Sequence, residues 1–180
     1  MARRRLPVYL RDKELSRLLD AVPNQRDRLI VLVGAYAGLR VSEILKLRIG
    51  DLDFEDGMLE VRAGKGDKDR TIPMHVLLAR ALRVHIGSAQ AGWLFPSGRS
   101  GSGHLMPRAV QLMIRSAAER AGIVRHVTPH KLRHTFASNL LFAGADLLEI
   151  KDLLGHASVS TTQIYAFCRP ERLREAVARL

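Results

Sequence analysis

Apolar positions recur at helical spacing along most of the 180-residue chain. After Asp12, Leu15, Leu18, Leu19 and Val22 repeat at the three-to-four-residue interval that lines one helix face. A second helix is predicted over residues 25–37, with Gly38 as its C-terminal stop, and a short third over 42–47. The period then changes. Glu55-Asp56-Gly57 is a turn signal, and residues 58–62 alternate as a strand. Gly64-Lys65-Gly66-Asp67 is a second turn, after which Arg70-Thr71-Ile72 returns as another strand, closed by Pro73. Helical patterns resume near 75–86, 107–121, 130–142, 146–153, 158–167 and 171–179. One break, over residues 88–103, gathers Gly and Ser around Trp93 and Phe95. The fold class implied is α+β, mainly α-helical, with a small antiparallel sheet. Residues 1–8 read as a basic arm or linker remnant, and 9–180 as one domain without internal repeats.

Composition narrows the partners. The chain is 47% hydrophobic, enough for a packed core rather than a disordered chain. Its formal net charge is +11 and its pI about 10.8, a field that favours a polyanion, most often nucleic acid. Aromatic residues are only 5%, which argues against a single-strand binder built on stacking platforms. Cys168 is the single cysteine, so neither an internal disulfide nor a cysteine zinc cluster is available. The longest apolar run, residues 29–37, is too short to span a bilayer, and the basic N-terminus lacks a signal-peptide core. A soluble, cytoplasmic, DNA-directed protein is expected, with no membrane.

Six residues carry the candidate chemistry. Arg40 follows the Gly38 stop at a helix start, and Arg133 is expected on the first turn of another helix behind Thr128-Pro129. Guanidinium groups stay charged and grip two phosphate oxygens at once, and helix N-termini add positive potential. Either arginine alone reads better as a surface ion pair, and Glu43 stands three residues after Arg40. His130 and Arg133 share one helix face, so an imidazole able to exchange a proton sits beside a fixed cation. His134, one turn beyond His130, raises a metal reading, but the Glu that a zincin motif needs is replaced by Lys131. Lys65 lies in a glycine-rich turn from which it could reach a leaving-group oxygen. Gly-Lys-Gly is commonly just a polar turn, however, and Lys68 and Arg70 are rivals. Tyr165 is a weak nucleophile unless cations and a base favour its phenolate, and His156 stands nine positions earlier, behind the Gly155 turn. No carboxylate cluster suited to magnesium is apparent, so metal and cofactor are both expected to be absent.

Together these residues resemble the tyrosine recombinase (phage integrase) family, most closely its Xer-like branch. The matching segments are 37–47, 64–73, 94–97, 128–138 and 153–165, in the family's order, with His130-Lys131-Leu132-Arg133-His134-Thr135 and Leu154-Gly155-His156 the most specific. The resemblance implies a tyrosine recombinase catalytic-domain fold acting on double-stranded DNA. It implies that Arg40 and Arg133 bind the scissile phosphate. Lys65 would protonate the 5′-oxygen, His130 would assist proton transfer at the tyrosine, and His156 would hydrogen-bond a non-bridging oxygen. Tyr165 would attack, forming a 3′-phosphotyrosyl link whose retained bond energy makes ATP unnecessary. It also implies a tetrameric synapse of protomers on DNA. Because the match begins at Leu6-Pro7, the family's usual N-terminal core-binding domain is expected to be absent. A topoisomerase-like relaxase and a non-catalytic DNA-binding module are the alternatives.

Overall fold

Helix α2 (Gln25–Tyr36) organises the fold. Leu29, Ile30, Val31, Val33, Gly34 and Ala35 are all buried, so the helix is apolar around much of its circumference and must be covered on several sides. In this computed structural model, which describes residues 9–62, 69–98 and 103–156, it is covered by α1 (Asp12–Asp20), α3 (Val41–Lys46), α4 (Val76–Ile86), α5 (Pro107–Arg120) and α6 (Pro129–Ala143). The closest approach is to α6. A Cβ on Gly34 would stand 3.1 Å from Leu132, so only a glycine admits this packing without displacement. Helix α7 (Leu147–Leu154) follows α6 through the left-handed Gly144 and packs on both α6 and the sheet.

The sheet is antiparallel, in the order β1 (Leu52–Asp53), β2 (Met58–Val61), β3 (Arg70–Pro73). Leu59 pairs with Ile72 and Val61 with Arg70, and Leu59, Val61 and Ile72 enter the core. Strand β1 was not foreseen; two residues are too few to show alternation, and its pairing with β2 supplies what periodicity could not. The glycine- and serine-rich break is anchored rather than loose where it is described. Leu94 and Phe95 are buried, the Leu94 N–H donates to the Leu47 carbonyl at 2.8 Å, and Arg48 lies over the Trp93 ring at 4.2 Å.

The predicted helices up to residue 154 are all present, with boundaries set by their caps. Asn24 accepts from the Asp27 N–H, Thr128 from Lys131, and Asp146 from Leu148 and Glu149, each satisfying donors that the first turn leaves unpaired. The expected helices over 158–167 and 171–179, and the basic arm over 1–8, lie outside the described residues. Buried apolar side chains from Leu10 to Leu154 form one core. Among the described residues, no helix is long and apolar enough to cross a membrane.

Candidate active site

Three arginines from three elements meet on one carboxylate. Arg40 caps α3, and Glu43 stands in the first turn of that helix, at a buried position beside Ile44 and Leu45. Its Oε1 accepts from Arg40 Nη1 and Arg70 Nη1, both at 3.0 Å; its Oε2 accepts from Arg70 Nη2 at 2.9 Å and the Arg40 backbone N–H at 2.7 Å. Arg133 Nη1 lies 3.7 Å from Oε2. Burial alone pushes this carboxyl up. Hydrogen bonds from Arg70 and from the Arg40 backbone, with the charges of Arg70 and Arg133, nevertheless hold it below its ordinary value.

The same arginines grip the C-terminal end of α7. Arg70 Nε donates to the Leu153 carbonyl at 2.9 Å, Arg133 Nη2 to Leu154 at 2.5 Å, and Arg40 Nη2 to Gly155 at 3.4 Å. A helix leaves its last carbonyls unpaired and carries a negative partial charge there, so cations are the natural partners. Gly155, at φ +64°, ends the helix, and the His156 N–H turns back to the Lys151 carbonyl at 3.1 Å. His156 is thereby delivered beside the guanidinium groups. Arg133 is 3% exposed at its side chain and also donates to the Gly38 carbonyl at 2.9 Å. It is the fifth residue of α6 and not on its first turn, as the sequence had suggested. Thr128 caps the helix one residue before Pro129, so His130 occupies the first turn and Arg133 the second.

The histidines are held neutral. Burial lowers the His156 pKa to about 4, helped by the charges of Arg133, Arg40, His130 and Arg70. His134 is likewise lowered to about 4, by burial and then by His130, Arg133, His156 and Lys131. His130 is lowered by burial, Arg133 and Arg40. The His130 and His134 rings meet edge to face, their centroids 4.3 Å apart. Among the described residues, no group of three or more His, Cys, Asp or Glu is arranged to hold a metal ion.

Beyond His130 the surface opens into a groove of about 370 Å³ lined by Val41, Arg108, Gln111, Arg115, His126 and Thr128. Arg108, Gln111 and Arg115 project from one side of α5, as their spacing requires.

The structure thus brings Arg40, His130, Arg133 and His156 into one cluster. Lys65 and Tyr165 lie outside the described residues, as does Lys68. Sequence reasoning missed Arg70, which it weighed only as a rival to Lys65, and did not see that Glu43 serves three arginines. A signal existed for Glu43: an acid at a core-facing position among basic residues needs buried partners. Nothing local marked Arg70, whose partners lie 27 and 83 residues away.

Comparison with known proteins places the chain in a family. The model of the phage integrase family matches residues 8–172. Tyrosine recombinase XerA of Pyrococcus furiosus is 44% identical over 179 residues, covering 97% of this chain but only 62% of that protein. The crystal structure of XerA recombinase superposes with a TM-score of 0.83 at 40% identity, over 97% of this chain and 65% of the other. The XerH site-specific recombinase bound to palindromic difH substrate, a post-cleavage complex, gives 0.76 at 28% identity, over 97% and 53%.

Proposed function

The chain belongs to the phage integrase family, and from that membership we propose that it is the catalytic part of a site-specific DNA recombinase, cleaving and rejoining strands through a 3′-phosphotyrosyl intermediate. The observation that carries the reading is the charge arrangement. Three guanidinium groups share one carboxylate while the three neighbouring histidines are kept neutral. The excess positive charge is fixed by packing before any anion arrives, which is what stabilising a phosphorane-like transition state needs. Arg40 and Arg133 neutralise the scissile phosphate. His156, neutral, donates an N–H to a non-bridging oxygen, and His130 takes the phenolic proton as Tyr165 attacks phosphorus.

The P–O bond to the 5′-oxygen breaks as the tyrosyl ester forms, and Lys65 gives the departing oxygen its proton. One phosphodiester is exchanged for another, so no ATP is needed and reversal rejoins the strand, while the arginines supply the charge neutralisation for which other phosphoryl-transfer sites use a metal ion. Lys65 is five residues before Arg70 and Tyr165 nine after His156, so backbone reach is at most about 18 Å and about 32 Å from anchored neighbours. The groove along α5, with Arg108, Gln111 and Arg115 continuing from His130, suits a duplex backbone entering the site. Several protomers on one DNA, in a tetrameric synapse, are part of the same proposal.

The test is a nicked duplex that traps the covalent product. The protein should form an adduct resistant to denaturation, with EDTA present or absent. Tyr165→Phe should abolish the adduct while duplex binding remains. An adduct that persists in Tyr165→Phe would assign the nucleophile elsewhere; binding with no adduct in the unmodified protein would leave a non-catalytic DNA-binding module.

A further inference from the structure

Arg70 uses every nitrogen of its guanidinium on protein. Nη1 and Nη2 form a two-pronged bond with Glu43, and Nε donates to the Leu153 carbonyl at the end of α7. Its side chain is 9% exposed, against 37% for Arg40 and 3% for Arg133, so burial separates it from Arg40 alone and its bonding pattern carries the distinction. The three bonds join three elements: β3, which carries Arg70, to α3 through Glu43 and to α7 through Leu153. The fit against α7 is close. A Cβ on Gly155 would stand 3.0 Å from Arg70 Nη1 and 3.2 Å from Cδ and Cζ, and Gly155 holds a φ of +64° that side chains disfavour.

We infer that Arg70 is a positioning residue: it seats the C-terminal end of α7, and with it His156, against the Glu43–Arg40 pair without itself contacting DNA. The assignment rests on the strand-transfer reading of the site and gives Arg70 a task distinct from that of Arg40 and Arg133. A flat, forked cation is required. A lysine carries the charge but cannot bond two carboxylate oxygens and a carbonyl in one plane. Arg70 also opens β3, five residues after Lys65 in the sequence. It therefore ties the strand leading from the proposed general acid to the helix leading to the proposed phosphate-binding histidine.

The experiment compares Arg70→Lys, Arg70→Gln and Gly155→Ala with the unmodified protein. Single-turnover cleavage of the nicked duplex, DNA affinity, melting temperature and the imidazole resonances of His156 in the free protein are measured. A misplaced histidine should slow cleavage about a hundredfold. Affinity should change little, since the DNA-facing cations remain. The His156 resonances should move in all three variants, and Arg70→Lys should not restore the rate. Gly155→Ala should reproduce the loss, and combining it with Arg70→Gln should add nothing further, because both break one contact. Unmodified cleavage in Arg70→Lys, affinity falling in step with rate, a loss that tracks the folded fraction alone, or fully additive losses would each overturn the assignment. An unmodified protein that forms no adduct sinks the strand-cleavage reading instead; the His156 resonances, read without DNA, still judge Arg70.

Discussion

Glu43 decides how the charges of this site coexist. Three buried or half-buried guanidinium groups repel one another, and one carboxylate, with four hydrogen bonds from Arg40 and Arg70 and an ion pair to Arg133, offsets that repulsion. The cluster leaves enough positive charge for a phosphate. Arg40→Ala and Arg133→Ala should each slow cleavage by roughly a hundred- to a thousandfold, the usual cost of one lost oxyanion donor. A loss confined to DNA affinity would make them ordinary phosphate anchors. The histidines add a pH signature. Burial lowers His134 and His156 to about 4 in the folded protein, from the ordinary imidazole value of 6.5, so between those limits the unfolded chain binds more protons. The stability they contribute is full above pH 6.5 and is lost as pH falls toward 4. Glu43, whose folded pKa is also depressed, acts in the same direction below the ordinary carboxyl value of 4.5. The melting temperature should therefore drop steadily from pH 7 to pH 4.5. A flat profile would mean that these rings are not held neutral by the fold.

At the scale of elements, the site is made by where helices stop. Gly38 ends α2 at φ +66°, lets Phe136 of α6 approach so closely that a Cβ would lie 2.2 Å from its Cδ1, and offers its carbonyl to Arg133. Gly38→Ala combines a left-handed penalty of about 1–2 kcal/mol with overpacking of about 1–3 kcal/mol. It should lower the melting temperature and, by shifting the Arg133 anchor, slow cleavage as well. An unchanged melting temperature would show that α6 can move aside. The stops at Gly38 and Gly155 were legible in the sequence, because each glycine follows a periodic apolar run. What each stop touches was not legible, since a cap motif is local and its tertiary neighbour is not.

Over the whole molecule, the chain carries a formal net charge of +11, and Arg108 and Arg115 line the groove that runs to His130. Binding to duplex should weaken steeply with salt, because each neutralised phosphate releases counterions. Arg108→Ala and Arg115→Ala should each reduce the slope of log affinity against log salt by about 1 if the residue contacts a phosphate. A slope unchanged in both would put the DNA elsewhere. The measurement is affinity on one duplex across a salt series.

The sequence by itself determined the helices up to residue 154 and two of the three strands, and it named six residues on which chemistry is expected. Apolar periodicity, caps and turn glycines are local, and motif spacing survives without coordinates. Only the tertiary structure decided that Glu43 serves Arg40, Arg70 and Arg133 together, that Arg133 lies one turn deeper in its helix, and that three arginines hold consecutive carbonyls at the end of α7. Those contacts join residues up to 115 positions apart. They exist because unpaired carbonyls at a helix end, and a carboxylate forced into the core, must find cations, and packing alone selects which cations are within reach.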